Sequence, residues 1–212
     1  MPMKNLYEII VSREVRPLVY IALALVLINN ILPKILGITG DIKAIENVLL
    51  SLGFAAFIVY SFGKNKFKEL KAKKLSFGLK IIFISLFLGI FQSLFSIILA
   101  FSSTSFYNEL AFGILDIVII LFIIYGIYNF KKWGFYLCLV YFLIGFAFYS
   151  YLIYLIYWEG AGIQQAMLIS SYTTYFSFVM GIISDSLKLV YLFLFIAYII
   201  KIREYFGLGH YK

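Results

Sequence analysis

The residues best suited to chemistry in this sequence are polar side chains inside long apolar runs. Asp116 is the strongest candidate, because it lies seven residues beyond Glu109 in a run that is otherwise apolar. The helical rise puts it roughly 10 Å below the end of that run. A carboxylate at membrane depth is costly, so Asp116 is a candidate for binding a cation, a proton or a polar solute.

Other polar side chains are expected at a comparable depth from the same side of a membrane. They are Asn29, Asn30, Lys34, Gln92 and Lys188. With Asp116 they predict a polar or solute-binding site in the outer half of the protein. The alternative is structural: Asp116 pairs with Lys34 or Lys188, and the amides join helices through bonds worth roughly 0.6 to 2 kcal/mol each.

A second candidate surface is a row of small and hydroxyl side chains near the C-terminus. Ser170, Thr174 and Ser177 follow one another at steps of three or four residues, so they share one helix face. Such a face either packs closely against another helix or lines a wet path for a solute.

The sequence offers little else to an enzyme. It has one cysteine, Cys138, and one histidine, His210. It contains no HExxH, GxSxG, Walker A or GxGxxG motif. We therefore expect no catalytic, metal-binding or cofactor-binding residues, no cofactor and no enzymatic activity.

The composition indicates which elements must position these residues. The 212-residue chain is 64% hydrophobic and 13% charged, far more apolar than a soluble domain. We predict an all-α integral membrane protein, a polytopic helical bundle that forms a single membrane domain over residues 1–212. The net charge of +8 is explained by the cytoplasmic bias of Lys and Arg and by anionic lipid, so no nucleic-acid partner is expected.

A basic loop at 64–78 sets the predicted orientation, because Lys and Arg resist translocation. Its lysines are Lys64, Lys66, Lys68, Lys71, Lys73 and Lys74. We expect this loop to lie in the cytoplasm, where it would bind anionic lipid headgroups or an acidic partner.

The apolar runs predict six transmembrane helices. They are 17–38, 47–63, 79–101, 110–130, 134–158 and 187–206, preceded by an amphipathic cytoplasmic segment at 1–16. A seventh or re-entrant helix is a further candidate at 163–183, because Ser184, Asp185 and Ser186 are expected to break the run and cap the next helix.

Charge counting favours six spans over seven. Six spans place both termini and 15 of the 18 basic residues in the cytoplasm, whereas seven spans place 13 there. The resulting hypothesis is a multi-pass protein of the cell membrane, a small-solute or ion permease or channel-like protein. The alternative is a structural or accessory subunit that anchors or assembles a larger membrane complex, or a homo-oligomer.

Overall fold

The computed structural model describes residues 3–28, 40–62, 70, 74–100, 106–158 and 175–208. Within these ranges the chain is all-helical, as predicted, with seven α-helices and no β-strand. The elements are α1 (Met3–Val11), α2 (Arg16–Val26), α3 (Gly40–Ser61), α4 (Phe77–Ala100), α5 (Phe106–Tyr128), α6 (Lys132–Trp158), α7 (Tyr175–Lys201) and a 3-10 turn (Arg203–Phe206).

In the described part of the chain, four helices are long and apolar enough to cross a membrane, which indicates a helical membrane protein. Their apolar stretches are Phe77–Ile98, Leu110–Tyr128, Lys132–Leu155 and Phe178–Lys201. The helices at Arg16–Val26 and Ile45–Ser61 are apolar but shorter than the about 20 residues that span a hydrocarbon core. The count of six spans stays a prediction, since the predicted span 17–38 continues beyond the described residues.

The predicted amphipathic segment at 1–16 is not one continuous helix. α1 ends at Val11, where Ser12 turns the chain: its Oγ accepts a hydrogen bond from the Val15 N–H at 3.3 Å. α2 then begins at Arg16, with Pro17 in its first turn, where a missing N–H is tolerated. Ile9 and Val15 are buried, so the apolar face of this segment packs against the protein.

The predicted break at Ser184, Asp185 and Ser186 is wrong. α7 runs without interruption from Tyr175 to Lys201. Ser184 is buried within the helix, and Asp185 forms an ion pair with Lys188 one turn later, at 2.8 Å. Polar side chains that are buried or paired inside a helix do not have to end it. Residues 175–183 therefore begin α7 and do not close a separate helix at 163–183.

The helices form two compact units. The first contains α1, α2, α4, α5, the 3-10 turn and α6 as far as Cys138. The second contains α3, the remainder of α6 and α7. The single membrane domain stays a prediction.

In the first unit α4 packs against both α2 and α5. Its first half is buried around most of its circumference, with Leu79, Ile82 and Phe83 at 0% exposure. Ser76 caps this helix: its Oγ accepts a hydrogen bond from the Leu79 N–H at 3.4 Å. The second half of α4 is more open, and it carries the polar residues Gln92, Ser93 and Ser96.

A tight corner joins α5 to α6. Phe130 is left-handed, with φ 51°, and the N–H of Lys131 returns to the carbonyl of Gly126 at 2.8 Å, which closes a Schellman-type cap. Gly126 and Gly134 meet backbone to backbone, since a Cβ on either would lie about 2.5 Å or less from the other. The Phe130 ring packs on Phe206 of the 3-10 turn, with centroids 5.4 Å apart.

In the second unit α3 and α7 run in the same direction. The Phe54 ring lies 5.6 Å from Tyr191 and 6.2 Å from Phe195, and further along both helices Phe62 lies 5.6 Å from Tyr198. α6 runs opposite to α7, because Phe142 contacts Phe195 whereas the later Tyr149 contacts Lys188. The end of α6 and the start of α7 therefore lie at the same end of this unit.

Candidate functional site

Asp116 lies near the middle of α5 and faces α4. The Oγ of Ser93 donates a hydrogen bond to Asp116 Oδ2 at 2.6 Å, a length typical of a hydroxyl bound to a carboxylate. Because α5 begins at Phe106, three residues before Glu109, Asp116 is about 15 Å from the helix start by the helical rise. Asp116 therefore lies farther from the start of its helix than the roughly 10 Å that its distance from Glu109 predicted.

Gly113 lets the two helices approach closely enough for this contact. A Cβ on Gly113 would lie 2.7 Å from Cγ1 of Ile97 and 3.5 Å from the Ser93 carbonyl oxygen. α4 and α5 are antiparallel, so Ile97 opposes Gly113 one turn away from the place where Ser93 opposes Asp116. The glycine and the hydrogen bond are thus parts of one local arrangement.

An open cleft of about 420 Å³ surrounds the Ser93–Asp116 pair, which we call the Asp116 cleft. It is lined by Ser93, Ser96, Phe112, Gly113 and Asp116. Its volume falls within the range of small-molecule sites, roughly 300 to 1,000 Å³. The Phe112 side chain is 72% exposed and forms an apolar wall beside a group of oxygen atoms.

The side-chain chemistry of the cleft is that of oxygen donors. Ser93 and Ser96 supply hydroxyls and Asp116 supplies a carboxylate, a set that suits a small hard cation, a proton or a cationic group on a solute. Among the described residues no group of three His, Cys, Asp or Glu side chains is placed to hold a metal ion. Cys138 is buried and unbridged in α6.

Gln92 precedes Ser93 on α4, and its side chain is exposed. It does not line the cleft. Its predicted part in a polar site stays a prediction.

Lys188 belongs to the second unit, where its ammonium contacts Asp185 at 2.8 Å and lies 4.9 Å from the centre of the Tyr149 ring. Tyr151, on the same helix as Tyr149, is 58% exposed.

Several predicted site residues lie outside the described part of the chain. They are Asn29, Asn30, Lys34, Ser170, Thr174, Lys64, Lys66, Lys68, Lys71 and Lys73. Ser177 lies in the first turn of α7. Lys74 is exposed just before α4, as expected for a lysine of the basic loop.

Of the five residues that line the cleft, only Asp116 is among the site residues predicted from the sequence. Gly113 precedes Asp116 by three residues, so the spacing places both on one face of α5. That spacing was a usable signal, because a small residue on the face of a membrane carboxylate marks the point where another helix can approach. Nothing in the sequence pointed to Phe112, one of many aromatic residues in the chain.

No family model, no curated protein and no solved structure matches this chain.

Proposed function

We propose that this protein is a small multi-pass permease that binds a cation, or a solute with a cationic group, in the Asp116 cleft. The observation that carries the proposal is the Ser93–Asp116 hydrogen bond of 2.6 Å in an open cleft between two helices long enough to span a membrane. Intramembrane carboxylates commonly mark ion and substrate pathways.

The shape of the cleft supports this function. A carboxylate in hydrocarbon is unfavourable by about 2.5 to 3.5 kcal/mol on insertion scales, and lipid tails offer it no hydrogen bonds. An open cleft with a carboxylate and two hydroxyls suits water and a cation better than lipid. We propose binding rather than catalysis here, since the residues that line the cleft include no His or Lys to activate the Ser93 hydroxyl as a nucleophile.

The proposed location is the cell membrane, with both termini and the basic loop in the cytoplasm. In the second unit the end of α3 leads into the basic loop, and Lys201 at the end of α7 donates a hydrogen bond to the Phe62 carbonyl at 3.2 Å. The ends of α3 and α7 therefore lie together, which supports placing the basic residues that follow both helices in the sequence on one side of the membrane. The exposed lysines of this side would contact anionic lipid headgroups.

Cation flux into vesicles tests the proposed function. Purified protein is reconstituted into liposomes, and uptake of ²²Na⁺, ⁸⁶Rb⁺ and protons is compared with that of protein-free liposomes. We expect uptake of at least one of these cations, and we expect Asp116→Asn to abolish it while the protein remains folded. A protein that transports none of them, or whose Asn variant transports as well as the wild type, contradicts the proposal.

A second candidate function is an accessory subunit of a larger membrane complex. It is favoured by the exposure of α6, since only 11% of its apolar window at Lys132–Leu155 is buried. Side chains on such a helix suit lipid or partner helices. Gentle extraction followed by native-gel mass distinguishes the two functions: stoichiometric foreign subunits favour the accessory role, and a lone protein or a homo-oligomer favours the permease.

A further inference from the structure

The second unit contains a polar layer at one level of its three helices. Its members are Glu46 of α3, Tyr149 of α6, and Ser184, Asp185 and Lys188 of α7. Phe54 contacts Tyr191 and Phe195. On α3, Glu46 lies about two helical turns before Phe54. On α7, Ser184 lies about two turns before Tyr191, and Lys188 lies about two turns before Phe195. Because α3 and α7 run in the same direction, these residues lie at one height.

The polar layer lies on a layer of aromatic rings. Phe195 contacts Phe54 at 6.2 Å, Phe142 at 5.2 Å and Tyr191 at 5.4 Å, so rings from all three helices meet there. Phe195 has no exposed surface. These rings separate the polar layer from the end of the unit where Lys201 meets Phe62.

Two oxygen atoms in this layer are buried without a hydrogen-bond partner among the described residues. They are Glu46 Oε2 and Ser184 Oγ. Ser184 is only 3% exposed, and it lies on the face of α7 that carries Tyr191 and Tyr198, which contact α3. Its hydroxyl is therefore aimed at the helix that bears Glu46.

Buried polar atoms of native proteins are almost always satisfied, and unpaired ones point to a water or an ion at the site. Among the side chains that the structure describes in this layer, Glu46 and Asp185 supply two carboxylates and Lys188 supplies one cation, which contacts Asp185 at 2.8 Å. The described side chains of the layer therefore carry a net formal charge of −1, which one further positive charge beside the oxygen atoms would neutralise.

We infer that the polar layer of the second unit binds a small monovalent cation, with Glu46 and Ser184 as its oxygen ligands. The charge count favours a monovalent ion, because a divalent ion would leave an excess positive charge beside Lys188. Within the described residues no group of three acidic, His or Cys side chains is present to favour a divalent or transition metal. This site does not depend on the Asp116 cleft.

Thermal unfolding of the full-length protein in detergent tests the inference. Melting temperature is measured in LiCl, NaCl and KCl against choline chloride at matched ionic strength. A ligand that binds only the folded state raises the melting temperature in a concentration-dependent way. We expect a saturable rise with at least one of the three alkali cations.

The variants identify the ligands. All variants are built in an Asp116→Asn background, which removes the carboxylate of the Asp116 cleft and leaves the polar layer as the site that is tested. In this background Glu46→Gln should remove the cation-dependent rise, and Ser184→Ala should increase the half-saturating cation concentration severalfold. Glu8→Gln, a matched change at an exposed carboxylate, should keep the response of the background protein. Equal melting temperatures of Asp116→Asn in choline and in all three alkali salts overturn the inference, and so does a cation response that persists after Glu46→Gln is added.

Discussion

The ammonium of Lys201 donates a hydrogen bond to the backbone carbonyl oxygen of Phe62 at 3.2 Å and lies 5.0 Å from the centre of the Phe62 ring. One side chain at the end of α7 thus caps the end of α3. Carbonyl groups at a helix C-terminus carry partial negative charge, so a cation stabilises them. The contact therefore holds the end of α3 beside the end of α7.

We predict that Lys201→Met lowers the free energy of unfolding by about 1 kcal/mol, because it removes an exposed, charge-assisted hydrogen bond. Lys201→Arg, which keeps a donor and the charge, should lose less. Thermal unfolding in detergent measures both. If the Met and Arg variants melt together at the wild-type temperature, the contact does not stabilise the pair of helices.

The proposed orientation, with the basic loop in the cytoplasm, predicts a pattern of thiol labelling in a Cys138→Ala background. Lys74→Cys and Lys131→Cys, at exposed positions, should react with a membrane-impermeant maleimide in inside-out vesicles and not in intact cells. Gly160→Cys, between α6 and α7, should react in intact cells. Labelling of Lys74→Cys and Gly160→Cys from the same side would contradict the proposed orientation.

Gly126 should tolerate no larger side chain. A Cβ there would lie 2.5 Å from the Gly134 Cα, and backbone cannot move aside as a flexible side chain can. We predict that Gly126→Ala lowers the free energy of unfolding by at least about 2 kcal/mol, within the range for overpacking. Gly53→Ala is the matched control, because nothing lies within 4 Å of its Cβ position.

The control should be neutral or slightly stabilising, since alanine favours a helix over glycine by roughly 1 kcal/mol. Equal melting temperatures of the two variants would mean that the α5–α6 corner relaxes without loss of stability.

The hydropathy of the sequence predicted that the chain is helical, and it predicted the approximate positions of the long apolar helices. A run of apolar residues favours burial in lipid, where the backbone has to pair within a helix. The apolar stretches at Leu110–Tyr128 and Phe77–Ile98 nearly coincide with their predicted spans. The error at Ser184 and Asp185 has a physical reason. Local polarity resembles a helix cap, but Asp185 pairs with Lys188 one turn along the same helix. Ser184 is buried by tertiary packing within the second unit, which local sequence does not show.

The sequence also identified Asp116 but not its setting. Its partner Ser93 is 23 residues away, and no periodicity within one helix indicates which face of another helix lies opposite. Glu46 precedes the predicted span 47–63, and an acidic residue near the start of an apolar run is typical of a loop. Only the side-by-side packing of α3 and α7 places it near Ser184.

Removal of the Ser93 hydroxyl should affect binding more than folding. We predict that Ser93→Ala lowers the free energy of unfolding by about 1 kcal/mol, the typical net value of a hydrogen bond. Ser93→Thr keeps the donor and should restore stability. If Ser93→Ala lowered the free energy of unfolding by several kcal/mol, the main role of the Ser93–Asp116 pair would be to stabilise the packing of α4 against α5.

The most direct test of the account compares initial cation uptake by the wild type, Asp116→Asn and Asp116→Glu at equal amounts of reconstituted protein. Asp116→Asn keeps the size of the side chain and removes the charge, whereas Asp116→Glu keeps the charge and lengthens the side chain. We predict uptake by the wild type, none above the protein-free background in the Asn variant, and partial uptake in the Glu variant. Uptake that is equal in all three proteins, or absent from the wild type, would contradict a cation site at Asp116.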